Sequence, residues 1–350
     1  MSGLLSALFF GSLASAVALT PLMIRLARRF AFLDQPGPRK IHAEPVPYGG
    51  GLVVALVVLG ATLLVPKLLL HGGWTLPPPS AQMKGFPWAV TAMGSLVIVA
   101  LGVVDDRRRL SARFKLFVQT LVAAGVALGG TRMQLFDAPP AVGVAVTILW
   151  ILTVTNALNL LDHMDGLSGG VALLAGSAFL FVALQTGQTL IAATIVPMLG
   201  ACLGFLCFNF PPAKIFLGDA GSLFIGFWLS CLTISFTFYE ARYPLYTYFV
   251  PLAVLAVPLF DTASVVLIRL LRRKPIFEGD TNHLAHRLVA LGMSRRGAVL
   301  TVYALTLTTG LSAVLLYHVT QRGALLVLVQ LLLTFGIITL LEAAGRRNDQ

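Results

Sequence analysis

The sequence predicts an all-α fold, a polytopic membrane bundle of about eleven transmembrane helices, from three observations. Hydrophobic residues fill 57% of 350 positions and charged residues only 11%, with a mean hydropathy of +0.87, whereas a soluble domain is about one quarter charged. The apolar residues run in stretches of roughly 17 to 25, long enough to cross a hydrocarbon core as helices that satisfy their own backbone. Short basic clusters separate the stretches and alternate in density from loop to loop.

The spans fall at about 4–24, 49–70, 87–104, 114–130, 142–160, 169–186, 190–208, 222–239, 247–271, 298–318 and 323–343. The first contains Ala14-Ser15-Ala16, similar to a signal-peptidase site, but no basic segment precedes it and Arg25, Arg28 and Arg29 follow. It reads as an uncleaved anchor. Pro77 to Pro79 belong to the loop after the second span. The third span closes on Asp105-Asp106, and the fifth runs into Asn156, Asn159, Asp162 and Asp165. Gly218 and Gly221 bracket Asp219 ahead of the eighth, and the ninth, 247–271, reads as one long helix. No repeat or low-complexity tract interrupts the chain, so 1–350 is expected to be a single integral membrane domain.

Loops 25–48, 105–115, 209–221 and 269–297, with the C-terminal tail, hold twenty of the 25 Lys and Arg residues. By the positive-inside rule this side is cytosolic, which puts the N-terminus outside and the C-terminus inside. Asp34, Asp105, Asp106, Asp162, Asp165, Asp219 and Asp261 lie in or beside the same loops. That rule does not govern acids, so their crowding needs a chemical cause. The net charge of +11 sits in juxtamembrane clusters of the kind anionic headgroups attract, which argues for membrane lipids and against a nucleic-acid partner. Cys202, Cys207 and Cys231 lie inside spans without ligand spacing and read as small core residues.

Three stretches carry chemistry. In VVDDRRRLSARFK (103–115), adjacent carboxylates at a membrane edge are tolerated where a cation or proton is shared; the alternative is a solvated loop of positive-inside arginines. Lys115 is placed to cap the next helix or to contact a phosphate. In NALNLLDHMDG (156–166), four polar side chains recur at intervals of three. Steps of three drift about 60° each around a helix, so the four cannot share one face unless the helix ends, and Gly166, Gly169 and Gly170 are expected to end it. Asn and Asp oxygens are hard ligands suited to Mg²⁺; an interhelical polar seam is the competing reading. In FLGDAGS (216–222), one carboxylate stands between glycines at a helix start, where free amides attract anions, though a simple N-cap has the same pattern. Farther on, His283, His286 and Arg287 in NHLAHRL either grip a pyrophosphate or lie on a basic surface helix.

Together these stretches resemble the polyprenyl-phosphate N-acetylhexosamine-1-phosphate transferase superfamily, from the first cytosolic loop to the last. DQPGPRKIHAEPVPYGG (34–50), with Arg39, Lys40 and His42, looks like its first loop. DDRRRLSARFK, NALNLLDHMDGLSGG and FLGDAGSLFIG look like its three best-known signatures, and NHLAHRL like its fifth-loop histidine motif. The resemblance implies cytosolic catalytic loops at about 25–48, 105–115, 156–170, 209–222 and 269–297 in a multi-pass protein of the cytoplasmic (inner) membrane. It implies transfer of N-acetylhexosamine-1-phosphate, most closely GlcNAc-1-phosphate, from a UDP-N-acetylhexosamine to polyprenyl (undecaprenyl) phosphate. UMP is released, and this is a first membrane step of cell-envelope glycan synthesis. Eleven spans and the absence of a triple histidine favour that branch over phospho-MurNAc-pentapeptide transfer.

By the same resemblance, Asp105 acts near the lipid phosphate with Asp106 as electrostatic partner, and Asn159 and Asp219 hold Mg²⁺, for which Mn²⁺ is a substitute. Asp162 supports metal and phosphates, Asp165 meets the uridine end, and Lys115 contacts phosphate. His283, His286 and Arg287 cover the nucleotide sugar, and Lys40 and His42 join the substrate-binding set. His163 stands where a glycine is usual, and Ala285 where a histidine is usual. The implied mechanism is in-line attack by the lipid phosphate, with a covalent aspartyl-phosphate as the second route. A groove near the ninth span is expected to admit the prenyl tail, and a homodimer is compatible with the sequence. A secondary transporter, the rival from another class, would place its acids deep inside spans; here they fall at predicted cytosolic ends.

Overall fold

The computed structural model describes residues 2–35, 44–71, 88–133, 139–236, 238, 243–275 and 282–348. Its helices are α1 (Ser2–Arg29), α2 (Gly50–His71), α3 (Trp88–Arg108), α4 (Ala112–Leu128), α5 (Pro140–Leu160), α6 (Leu167–Gln185) and α7 (Thr189–Asn209). They continue with α8 (Gly218–Ser235), α9 (Val250–Val254), α10 (Ala256–Leu271), α11 (Leu284–Ala290), α12 (Arg295–Leu315) and α13 (Gln321–Asn348). A helix lies under every predicted span, so the chain is an all-α, multi-pass membrane protein. Among the described residues, eight helices are long and apolar enough to cross a membrane, or nine if one bent pair counts as a single span. The apolar part of α2, Gly50–Val65, and the 17 residues of α4 are shorter.

The ninth predicted span is not one long helix. A 3₁₀ turn, Leu245–Phe249, leads into α9, and the pair bends by 68° against α10 at Leu255. Pro258, two residues into α10, has no N–H for the carbonyl of Val254, and its ring clashes there. The break follows from that.

Burial sorts the helices into layers. In α7 and α8, 83% of the most apolar window is buried, against 11% in α13 and 22% in α1, so α7 and α8 form the core and α1 and α13 the rim. Leucine side chains gain nothing by leaving lipid for protein, so membrane helices associate through close van der Waals contact at small residues. Helix α8 carries Gly218, Ala220, Gly221 and Ser222 in its first turns, all buried except Asp219 among them. A Cβ on Gly51 of α2 would sit 2.1 Å from the Gly221 nitrogen, and one on Gly102 of α3 would sit 2.3 Å from the Ala220 Cα. Neither backbone crossing admits any larger residue. Phe224, Phe227 and Trp228 fill the layer beyond.

A two-stranded antiparallel ribbon, β1 (Leu33–Asp34) and β2 (Val46–Pro47), pairs Leu33 with Pro47 and Asp34 with Val46. The segment before α8 extends this edge. Phe216 N donates to Pro47 O at 2.8 Å, Gly50 N to Phe216 O at 3.0 Å and Gly51 N to Leu217 O at 2.9 Å. The first loop is thereby tied to the start of α8.

Candidate active site

Four helix ends meet where α8 begins. Helix α3 ends on Asp105 and Asp106, α4 opens with Lys115, α5 closes on Asn159, and α8 opens with Asp219. Lys115 Nζ lies 2.5 Å from Asp105 Oδ2 and 3.2 Å from Asp219 Oδ2, so two carboxylates share one ammonium. The other Asp105 oxygen accepts from Leu110 N at 2.5 Å. Asp106 accepts from Asp219 N at 2.8 Å and Ala220 N at 3.3 Å. It therefore caps α8 from a different helix and satisfies two of the free amides every helix start presents. Asn159 Nδ2 donates to Asp219 Oδ1 at 2.8 Å and Ser222 Oγ at 2.9 Å. Lys115 does not cap α4; Ser111 does, accepting from Phe114 N.

The helix of the second motif ends at Leu160, and the turn closes on Gly166 with φ +74°, a left-handed value glycine adopts without strain. Gly169 and Gly170, expected to help end it, instead lie inside α6. The ending separates the four polar residues. Asn156 joins a seam with Gln119 Oε1 at 2.6 Å, Asn159 reaches Asp219, and Asp162 and Asp165 fall in the turn. Asp165 Oδ2 accepts from Ala213 N at 2.9 Å, so one of its oxygens braces the next loop. Asn209 adds a second brace, accepting from Gly166 N and donating to Ile215 O, both at 2.9 Å.

Burial, together with the charges of Asp219, Asp106 and Asp165, pushes the Asp162 carboxyl well above the ordinary carboxylate range. Asp105, Asp106, Asp162 and Asp219 thus share the local field with one ammonium, an excess of negative charge that a divalent cation relieves. Carboxylate and amide oxygens are also the donors Mg²⁺ prefers, so the residues present fit that ion. Beside them opens a cavity of about 330 Å³ lined by Leu33, Asp34, Gln35, Tyr48, Asp105, Asp106, Arg107, Arg109 and Asp219. Tyr48 Oη donates to Asp34 Oδ1 at 2.8 Å; burial and that carboxylate raise the phenol's pKa and keep it neutral.

A second group gathers one residue past Asp162. His283 stands before the first turn of α11, with Nδ1 2.8 Å from Asp261 Oδ2, and Leu284 N donates to Asp261 Oδ1 at 2.5 Å. The His163 ring stacks on His283 at 4.4 Å and lies 4.6 Å from His286. Burial and the neighbouring imidazoles depress His163 to about 3 and hold His286 below the usual range. Arg287 Nη2 donates to Ser264 Oγ at 2.9 Å. His283 and Arg287 are buried, which removes the basic surface helix as an account of this motif. Lys40 and His42 lie outside the described residues.

Reading the sequence left out Asp34, Tyr48, Asp261 and His163 as members of these groups. An acid inside an apolar span, as Asp261 is, carries its own signal. Tyr48 gave none, since a lone aromatic is common at a helix edge, and His163 drew notice only by standing where a glycine is usual.

The family described as Glycosyl transferase family 4 matches residues 88–237. A probable undecaprenyl-phosphate N-acetylglucosaminyl 1-phosphate transferase of Bacillus subtilis is 34% identical, over 89% of this chain and 85% of its own length. A decaprenyl-phosphate N-acetylglucosaminephosphotransferase of Mycolicibacterium smegmatis is 33% identical over 79% of this chain and 73% of its own. An undecaprenyl-phosphate alpha-N-acetylglucosaminyl 1-phosphate transferase of Thermotoga maritima is 30% identical over 77% and 76%.

Proposed function

The chain belongs to Glycosyl transferase family 4, within the polyprenyl-phosphate N-acetylhexosamine-1-phosphate transferase superfamily, and is an enzyme of the glycosyl-1-phosphate transferase type; on that premise we propose that it moves GlcNAc-1-phosphate from UDP-GlcNAc to undecaprenyl phosphate or a close polyprenyl relative. The reaction needs Mg²⁺, releases UMP and runs on the cytosolic face of the cytoplasmic membrane. One observation carries the reading: carboxylate oxygens from α3 and α8 converge on a single shared cation position, held by Lys115 between Asp105 and Asp219, and the Asn159 amide of α5 donates to the same Asp219.

In this reaction a lipid phosphate oxygen bonds to the β-phosphorus of the donor while the bond to the UMP oxygen breaks. Both partners are anions, so the barrier is chiefly one of bringing negative charges together and holding them in line. A Mg²⁺ ion held by Asp219 and Asn159 would neutralise phosphate charge as it shifts towards UMP. The two hydrogen bonds on Asp105 favour a positioning role for it over that of base or nucleophile, because Leu110 N and Lys115 already occupy both oxygens. Lys115 is placed to turn from the carboxylates to an incoming phosphate. Arg107 and Arg109 at the cavity rim offer further positive charge. Asp106 fixes where α8 starts, and through it where Asp219 stands. Asp165, with His283, His286 and Arg287 beyond it, is assigned to the nucleotide-sugar side. The prenyl tail is assigned to the neighbourhood of the ninth span, where the chain bends at Leu255.

The test is incubation of the purified chain with Mg²⁺, undecaprenyl phosphate and a panel of UDP-sugars, following UMP release and the mass of the lipid product. UDP-GlcNAc should give a lipid diphosphate carrying one N-acetylhexosamine. Absence of UMP release with every UDP-N-acetylhexosamine would overturn the assignment, and product from a UDP-MurNAc-pentapeptide alone would move it to the other branch.

A further inference from the structure

We propose that His163, His283 and His286, backed by Asp261, form a second cation site that takes a borderline-soft divalent ion, Zn²⁺ or its relatives Co²⁺ and Ni²⁺. His163 Nδ1 lies 3.0 Å from the carbonyl oxygen of Leu160. A carbonyl only accepts, so Nδ1 carries the hydrogen and Nε2 is a bare lone pair. That Nε2 is out of solvent and, among the described residues, has no partner. An unsatisfied buried acceptor is destabilising, and an electron-pair acceptor removes the penalty.

His283 is prepared in the same sense. Its Nδ1 faces Asp261 Oδ2 at 2.8 Å, and the other carboxylate oxygen is held by Leu284 N. A carboxylate behind an imidazole fixes the tautomer and orientation of a metal-ligating histidine and raises its basicity, leaving Nε2 as the ligand atom. One ring nitrogen from each of His163 and His283 and one Asp261 oxygen already lie within 4.8 Å of one another, and the His286 ring centroid is 4.6 Å from that of His163. Imidazole nitrogen suits Zn²⁺, Co²⁺ or Ni²⁺, whereas Mg²⁺ takes hard oxygens, so the two sites differ in chemistry although His163 follows Asp162 directly. An ion here would tie the α5–α6 turn to α10 and α11. The His163 and His283 planes are 23° apart in their stack, and an ion must lie in the plane of each ring. Binding therefore splays the stack.

The test uses the full chain, purified in detergent without a polyhistidine tag, stripped with chelator, and offered Zn²⁺ or Co²⁺ under excess Mg²⁺. Bound metal is counted by elemental mass spectrometry, and the visible spectrum of bound Co²⁺ reports nitrogen ligation. Wild type should retain one ion per chain. Asp261→Asn should weaken retention about 10–100-fold, and His163→Asn by at least as much; the latter keeps an amide donor for Leu160 and removes only the Nε2 position, which protects the fold. Retention by wild type no better than by His163→Asn, whether both hold metal or neither does, would overturn the proposal. Metal content is read without any transfer activity, so its failure leaves the transferase assignment untouched.

Discussion

Gly102→Ala is the smallest change that should separate the two halves of the candidate site. A Cβ at that position would lie 2.3 Å from Ala220 Cα, 2.4 Å from Ala220 N and 2.6 Å from Asp219 C. Ordinary carbon contact is about 3.5 Å, so α3 and α8 must part by roughly 1 Å. All three obstructing atoms are backbone, and no rotamer can yield. Positions 102, 105 and 106 share one face of α3, so the displacement reaches the Asp106 bonds to Asp219 N and Ala220 N, now 2.8 and 3.3 Å, and stretches both past hydrogen-bonding length. Overpacking of this kind destabilises by about 1–3 kcal/mol, and a 1 Å misplacement of reacting groups costs about 100-fold in rate. Gly60→Ala in α2 is the control, since nothing lies within 4 Å of its added Cβ. UMP release and thermal unfolding in detergent should both fall for Gly102→Ala and hold for Gly60→Ala. A Gly102→Ala enzyme with wild-type rate and melting temperature would refute the argument that this crossing sets the geometry.

Asp219→Ala should abolish transfer at every Mg²⁺ concentration; recovery at high Mg²⁺ in a titration of initial rates would remove it from the metal role. Asp105→Asn should slow transfer while nucleotide binding stays measurable by calorimetry, and an unchanged rate would count against a place near the acceptor phosphate. Lys115→Met strips the shared ammonium from two carboxylates, so the metal-free protein should melt earlier and gain more from Mg²⁺ than wild type does; an equal Mg²⁺ shift in both would contradict the shared cation position. His163 is depressed to about 3 in the fold from an ordinary 6.5, so above pH 6.5 it is neutral folded and unfolded, and stability is lost as pH falls from there. At pH 5 in chelator the loss is up to about 2 kcal/mol, less whatever solvent screening the partly open ring enjoys, and His163→Asn should show a smaller drop in melting temperature between pH 7 and 5.

Span positions were legible because a 20-residue apolar run has few other uses. The break at Leu255 was less so: Pro251 and Pro258 are visible in the sequence, but proline is tolerated inside membrane helices when neighbours satisfy the freed carbonyls, as Pro197 within α7 illustrates. Asp105, Asn159 and Asp219 could be gathered as one group from motif type alone. Their division of labour could not, since nothing local to Asp106 says that its partners are amides more than a hundred residues away. Interval-of-three spacing correctly required the helix to end within NALNLLDHMDG, but no glycine ends it: α5 stops at Leu160 with Leu161 as its cap, and Gly166 instead sets the start of α6. Asp261 and His163 each stood out in the sequence, one as an acid near a span and the other as a departure from a usual glycine, but only the fold brings both against His283.

The arrangement also shows how acids are kept at a place that disfavours them. Asp105 and Asp106 occupy the last turn of α3, where the helix dipole is negative and carboxylates are repelled. Because α8 begins against that turn, the positive end of its dipole and two of its free amides face Asp106, while the first turn of α4 brings Lys115 to Asp105. The unfavourable terminus of one helix is thus offset by the favourable termini of two others, and only a bundle in which neighbouring helices run in opposite directions can do this. The same crossing demands glycine at 102 and alanine at 220, so the small residues that let the helices touch and the charged residues that react are one requirement expressed at adjacent turns. A site built this way responds to packing changes at Gly102 as directly as to the loss of a ligand.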